Sequence, residues 1–70
     1  MHIGKRIRQI LVQQERTPTW FAQKLFCSRQ NVSMIFQKEN IDIELLKRIC
    51  KILRHNIFKE ISNEYEATNR

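Results

Sequence analysis

Apolar residues recur along the chain at helical spacing, in groups separated by short polar segments. In the first group, four apolar residues follow the i, i+4, i+7, i+8 pattern of one helix face: Ile3, Ile7, Ile10 and Leu11. This pattern predicts a helix over residues 2–15. No sustained alternation of apolar and polar residues follows, so the sequence contains no strand signal. We therefore expect an all-α chain.

Two capping residues predict where the next helices begin. Thr17 offers a hydroxyl to an N-cap, and Pro18 suits a first helical position because it has no N–H to leave unpaired. These signals predict a second helix over residues 18–25. Ser28 is the next N-cap candidate, and it predicts a third helix over residues 29–37.

Two further helices are expected after a polar link. Asp42 is a candidate N-cap for a helix over residues 43–54. A short last helix, extending towards Tyr65, is predicted from the spacing of three apolar residues: Ile57, Phe58 and Ile61. The folded domain is expected to span residues 1–62, with residues 63–70 as a frayed C-terminal tail.

The second and third predicted helices form the most informative unit of the sequence. Only Phe26 and Cys27 separate the second helix from the Ser28 cap, so the two helices must turn sharply against each other. Ala22 is small where the third helix crosses it, and Val32 and Ile35 are apolar where the third helix must be anchored. Two short helices joined in this way form a helix-turn-helix arrangement.

Charge is distributed unevenly along the chain. Thirteen Lys and Arg against seven Asp and Glu give a net charge of +6. Residues 1–38 hold seven basic residues and one acidic residue, whereas residues 39–70 hold six of each, so the whole excess lies in the first part. This asymmetry favours a polyanionic partner, with nucleic acid first and anionic lipid second.

Several other functions are disfavoured by the composition. A chain of 70 residues is one small domain, and its longest apolar run of three residues is too short to cross a membrane or form a signal peptide. We expect it to be cytoplasmic and nucleoid-associated, without membrane, cofactor or small-molecule ligand. The potential soft metal ligands are isolated from one another, so we expect no metal site: His2, Cys27, Cys50 and His55. No nucleophile–base pair points to an enzyme.

The helix-turn-helix segment resembles a known family. The stretch TPTWFAQKLFCSRQNVSMI, residues 17–35, resembles the helix-turn-helix of the Cro/CI (Xre) family of bacterial and phage repressors. The preceding IGKRIRQILVQQ and the following IDIELLKRICKIL resemble the first and fourth helices of that family, so the likeness covers residues 3–58. It implies a five-helix, lambda-repressor-like, usually dimeric DNA-binding domain that regulates transcription as a repressor and has no enzymatic activity.

The resemblance also implies roles for individual residues on double-stranded DNA. Arg29 and Gln30 begin the third helix and have side chains suited to bidentate contacts with guanine and adenine, respectively. The base-contacting candidates are Arg29, Gln30, Asn31, Ser33 and Met34. Three of them have an alternative role: Arg29 contacts a phosphate instead, Asn31 contacts the DNA backbone, and Met34 only shields Val32 at the surface. The phosphate-contacting candidates are Arg6, Thr17, Thr19, Lys24, Ser28 and Lys38. The candidates for a homodimer interface, which are also candidates for the core, are Ile57, Phe58 and Ile61.

The chain departs from the family pattern at some positions. Phe26 stands where the family usually has a turn glycine, so either the turn takes another shape or packing holds Phe26 in place. Pro18 stands where many members have a glutamine that contacts phosphate. Trp20 is uncommon at its position, and it lies either beside DNA or a partner chain, or against the first helix around Ile10 or Gln14.

Other functions remain open at this stage. The main alternative is a small helical protein–protein interaction module, or an antitoxin-like protein that binds a partner. RNA binding is a weaker alternative because the chain lacks the aromatic sheet platform and loop motifs of common RNA-binding modules.

Residues 39–70, which carry no net charge, are here called the neutral half. Three of its basic residues are expected to face solvent: Lys47, Arg48 and Lys51.

Overall fold

The structure, a computed structural model, describes residues 1–68 and contains five α-helices and no strand within that range. The helices are α1 (Ile3–Gln13), α2 (Pro18–Leu25), α3 (Arg29–Gln37), α4 (Ile43–Leu53) and α5 (Ile57–Thr68). The predicted all-α class is confirmed. The predicted bounds of α2 and α3 are also correct, whereas α1 and α4 end slightly earlier than the apolar spacing suggested.

Side-chain caps fix the starts of the first four helices. Thr17, Ser28 and Asp42 each accept a hydrogen bond from the backbone N–H three residues further on, at 3.0, 3.2 and 3.0 Å. These bonds confirm the three predicted N-caps. The sequence reasoning missed the cap of α1, where His2 Nδ1 accepts from the Lys5 N–H at 3.1 Å. Each cap satisfies a backbone donor that the first helical turn leaves free.

A single apolar core joins all five helices. Phe21, Ile7 and Ile49 are fully buried, and the other buried members are Ile3, Ile10, Leu11, Ala22, Leu25, Val32, Ile35, Leu46, Leu53 and Ile57. Burying one large aliphatic or aromatic side chain contributes about 1.5–3 kcal/mol. The predicted roles of Ala22, Val32 and Ile35 at the α2–α3 contact are therefore confirmed by their burial.

Gly4 lies where the start of α1 meets the end of α3. Its N–H donates to the Lys38 carbonyl at 2.9 Å. A Cβ atom at this position would lie 2.5 Å from the Phe36 carbonyl oxygen, 2.7 Å from that of Lys38 and still closer to that of Ile35. The only glycine of the chain is therefore needed for close approach of two backbones, a requirement that the helical spacing did not predict.

The last helix is longer than expected. It continues to Thr68, so residues 63–68, which were expected to be a frayed tail, form the exposed end of α5. Residues 69 and 70, also in the expected tail, lie outside the described residues. Within residues 1–68, no helix combines the length and apolar character needed to cross a membrane.

Candidate nucleic-acid interface

The turn between α2 and α3 is left-handed at Phe26. Phe26 has φ 56° and ψ 45°, and the Cys27 N–H closes the turn by donating to the Ala22 carbonyl at 3.0 Å. The Phe26 side chain is 92% exposed. Both alternatives that the sequence left open are therefore wrong, because the turn takes the glycine-like conformation and packing does not hold the ring. A bulky residue in this conformation costs about 1–2 kcal/mol.

The five base-contacting candidates lie together on the exposed side of α3. Val32 and Ile35 anchor the opposite side of the helix in the core, with 0% and 7% exposure. The exposed residues of the helix are Arg29, Gln30, Asn31, Ser33, Met34 and Gln37. Met34 is the one apolar member of this side and is 52% exposed. The α3 helix therefore presents amide, guanidinium, hydroxyl and thioether groups on one accessible surface.

A groove runs beside this surface, between α1, the start of α2 and α3. The groove, here called the α1–α3 groove, is lined in part by Lys5, Arg8, Pro18, Arg29, Ser33 and Gln37. It brings three cations, one from α3 and two from α1, to one concave surface without an acidic residue in its lining. Lys5 and Arg8 were not among the predicted phosphate contacts. Their i, i+3 spacing on the polar side of α1 was the available signal.

The phosphate-contacting candidates do not form one group. Thr17, Thr19 and Ser28 are exposed at the starts of α2 and α3, where helix N-termini favour anions. Lys38 lines a groove together with Asn31 and Met34, next to the surface of α3. The remaining candidates, Arg6 and Lys24, lie elsewhere.

Arg6 is engaged within the protein. Its Nε and Nη2 atoms donate to Glu60 Oε1 and Oε2 at 2.7 and 2.9 Å, and its Nη1 atom donates to Gln9 at 3.3 Å. The Arg6 hydrogen bonds lower the pKa of Glu60 from 4.5 to about 2, against an opposing effect of burial and with a smaller contribution from His55. The same pair raises the pKa of Arg6. The predicted phosphate contact therefore has a structural role between α1 and α5.

Two other predictions from the sequence can be compared with the packing. Trp20 is half-buried against the core and lines a groove together with Gln14, which agrees with the alternative that placed it near α1.

Arg48 was expected only to face solvent. It is exposed, but its Nη2 atom donates to the Leu25 carbonyl at 3.2 Å and so bonds the C-terminal end of α2.

The other basic residues of the first part differ from Arg6 in their pairing. Among residues 1–68, six of the seven basic residues in positions 1–38 form no ion pair with a carboxylate: Lys5, Arg8, Arg16, Lys24, Arg29 and Lys38. By contrast, Lys47 of the neutral half lies 3.7 Å from Glu44. The charge excess of the sequence therefore remains largely available to an external anion.

The three candidates for a dimer interface differ in accessibility. Ile57 is fully buried in the core and has no surface to offer to a second chain. This burial supports its alternative assignment to the core. Phe58 and Ile61 are half-buried, and Tyr65, one turn further along α5, is 66% exposed.

Comparison with known proteins gives no match: no family model, no curated protein and no solved structure is detectably similar to the chain. The functional conclusion therefore depends on the residues and geometry of the chain itself.

Proposed function

We propose that this protein binds double-stranded DNA in a sequence-specific manner and regulates transcription, with α3 in the major groove. The proposal depends on the exposed polar side of α3 standing beside the cationic α1–α3 groove. An α-helix fits a major groove about 12 Å wide. Positive charge beside such a helix attracts the phosphates that flank the groove.

The residues of α3 have different chemical roles in this proposal. Arg29 suits the O6 and N7 acceptors of guanine, and Gln30 and Asn31 suit the N6 and N7 atoms of adenine. Met34 offers an apolar contact to a thymine methyl group, and Ser33 contributes a hydroxyl. All five side chains are exposed, so DNA binding requires no rearrangement of the core.

Contacts to phosphate fix the position of the domain on the duplex. Lys5 and Arg8 line the α1–α3 groove with Arg29 and are the best placed cations for a backbone strand beside α3. Thr19 and Lys38 are exposed at the start of α2 and the end of α3. These residues supply affinity, whereas the α3 side chains supply specificity.

The regulator is proposed to be a homodimeric repressor that acts on chromosomal DNA in the cytoplasm. Phe58 and Ile61 of α5 are the interface residues in this proposal, because both are half-buried apolar side chains. A symmetric dimer contacts two inverted half-sites about 10 base pairs apart.

Selection of binding sites from a random duplex pool tests the proposal. We expect recovery of two inverted half-sites, and we expect the double variant Gln30→Ala/Asn31→Ala to lose that motif. The double variant Gln13→Ala/Asn63→Ala is a matched control, because it removes the same two residue types, without a change of charge, at exposed positions on other helices. An unenriched pool from the unmodified chain would overturn sequence-specific binding.

Salt dependence separates this function from a second candidate. A dimer that neutralises about six phosphates gives a slope of about −5 in a plot of log K against log salt concentration. The second candidate is a protein–protein interaction module, including an antitoxin-like one. It is favoured by Phe26, an exposed aromatic ring on a strained turn. That candidate predicts no salt-dependent DNA binding at all.

A further inference from the structure

A second groove gathers four cations around the only tryptophan of the chain. It lies between the loop after α1, the outer side of α2 and the end of α4, and its lining includes Gln14, Arg16, Trp20, Lys24, Lys51 and Arg54. We call it the Trp20 groove. It shares no lining residue with the α1–α3 groove, so it is a separate surface.

The charges of the Trp20 groove are unbalanced. No aspartate or glutamate lines it, and within residues 1–68 none of its four cations lies within 4.0 Å of a carboxylate. Like charges gathered on a concave surface repel one another and concentrate anions from solution. An anion bound between them removes that repulsion.

Trp20 positions two of these cations. The guanidinium carbon of Arg16 lies 4.5 Å from the centre of the indole ring, and Lys24 Nζ lies 5.9 Å from it. Both distances are within the range of a cation–π interaction. The indole is half-buried against the core and so provides a fixed support. Side chains held in this way lose less conformational entropy when a ligand binds.

The helix dipoles do not account for the whole cluster. Lys24 and Lys51 lie in the last turns of α2 and α4, where a helix favours cations. Arg16, however, belongs to no helix. The end of α4 is also already bonded, because Gln14 Nε2 donates to the Leu53 carbonyl at 2.8 Å and the Arg54 N–H donates to the Lys51 carbonyl at 3.3 Å.

We propose that the Trp20 groove binds a ligand with closely spaced phosphate groups. Arg16 and Arg54 offer planar guanidinium groups that match phosphate oxygens, and Lys24 and Lys51 add ammonium donors. The phosphates come either from a free polyphosphate-bearing molecule or from a DNA backbone outside the segment that α3 contacts. The site requires neither the surface of α3 nor the α1–α3 groove.

Fluorescence of Trp20 tests the site directly, because this residue is the only tryptophan of the chain. The probes are inorganic tripolyphosphate and, in a separate titration, a short duplex of random sequence. We expect a saturable change in emission whose midpoint moves to higher ligand concentration as salt is added. Absence of a change with both probes would overturn the proposal.

Variants assign the signal to the groove. Lys24→Gln/Arg54→Gln removes two exposed cations and should raise the midpoint about ten-fold or more, because each lost cation removes a charge-assisted hydrogen bond to phosphate. The single variant Lys24→Arg keeps the positive charge and should therefore leave the midpoint close to that of the unmodified chain. Lys47→Gln/Lys59→Gln is the control of equal charge, and an equal midpoint shift in that control would contradict a localised site. Circular dichroism confirms that each variant is folded.

The two probes also separate the source of the phosphate. A response to tripolyphosphate in the absence of DNA assigns the groove to a free ligand. A response to the duplex alone, lost in Lys24→Gln/Arg54→Gln but kept in Gln30→Ala/Asn31→Ala, assigns it to the DNA backbone. If the proposed regulatory function fails, no motif is selected from the random pool, whereas tripolyphosphate binding is unaffected. The two proposals therefore fail in different experiments.

Discussion

Arg6 and Glu60 form a bidentate ion pair that links the first helix, α1, to the last, α5. The guanidinium Nε and Nη2 atoms lie 2.7 and 2.9 Å from the two carboxylate oxygens, and the residues are 54 positions apart in the sequence. Their side chains are 23% and 25% exposed, so solvent screens the pair only in part. His55 also contacts the Glu60 carboxylate. The carboxylate therefore joins three segments of the chain.

This pair predicts a loss of stability in acid. The pKa of Glu60 is about 2 in the folded protein, against an ordinary value of 4.5. The pair therefore contributes to the free energy of unfolding above about pH 4.5, and this contribution is lost as the pH falls towards 2. We expect Glu60→Gln to cost about 1–2 kcal/mol at neutral pH and less than half of that at about pH 3. Urea unfolding at both pH values measures the difference.

Glu44→Gln serves as the control for this experiment. Glu44 is 85% exposed and only loosely paired with Lys47, at 3.7 Å. Its substitution should change the free energy of unfolding by less than about 0.5 kcal/mol at either pH. A cost of Glu60→Gln that stays constant between the two pH values would contradict the assignment.

Gly4→Ala should be among the most destabilising single substitutions in α1. The added methyl group would meet three backbone carbonyl oxygens, which cannot move as a flexible side chain can. We expect a loss of about 2–3 kcal/mol or more in the free energy of unfolding. Gln13→Ala, at an exposed position of the same helix, should be nearly neutral. An alanine at position 4 that leaves the unfolding midpoint unchanged would mean that α1 does not approach α3 so closely.

Phe26→Gly should stabilise the protein. Glycine adopts φ 56° without steric cost, and the 92% exposed ring contributes little packing that its removal would lose. We expect a gain of about 0.5–1 kcal/mol after the greater unfolded-state entropy of glycine is subtracted. Phe26→Ala separates backbone from ring, because alanine keeps the strain and should change the unfolding midpoint little. Thermal and urea unfolding of both variants measure the effect, and a gain with alanine equal to that with glycine would exclude relief of strain as its cause.

Gln30→Ala and Arg8→Gln should affect DNA binding differently. Loss of the Gln30 amide should relax the preference for one base at one base pair in each half-site. It should cost about 1–3 kcal/mol of binding free energy on the selected duplex and leave binding to random duplexes unchanged. Loss of the Arg8 cation should weaken binding to selected and random duplexes alike and reduce the salt slope by about 1 for each half-site. Titrations of both duplexes at several salt concentrations distinguish these patterns. Equal effects of the two variants on the two duplexes would refute the separation of roles.

Ile57→Ala and Ile61→Gln should separate the core from the proposed dimer interface. Ile57 is fully buried, so its truncation should cost about 2–4 kcal/mol at any protein concentration. Ile61 is half-buried, and its substitution should mainly weaken association of two chains. Sedimentation equilibrium and unfolding at two protein concentrations measure both effects. Association that survives Ile61→Gln unchanged would place the interface elsewhere.

The helices around the proposed DNA-binding surface were predictable because their signals are local. Thr17 and Ser28 bond to backbone groups only three residues away, so the sequence alone marks the starts of α2 and α3. The burial of Val32 and Ile35 follows from helical spacing in the same way. Phe26 was harder to predict, because the energy of a strained turn must be compared with that of the whole α2–α3 contact.

By itself, the sequence determined the all-α class, the bounds of α2 and α3, most of the core and the location of the excess charge. Only the tertiary structure decided that Gly4 must be a glycine, that Arg6 pairs with Glu60, and that most of the unpaired cations in residues 1–38 divide between two grooves. The physical reason is the distance along the sequence over which each interaction acts. Caps and helix faces depend on neighbours within one or two turns, whereas these contacts depend on how the helices pack against one another.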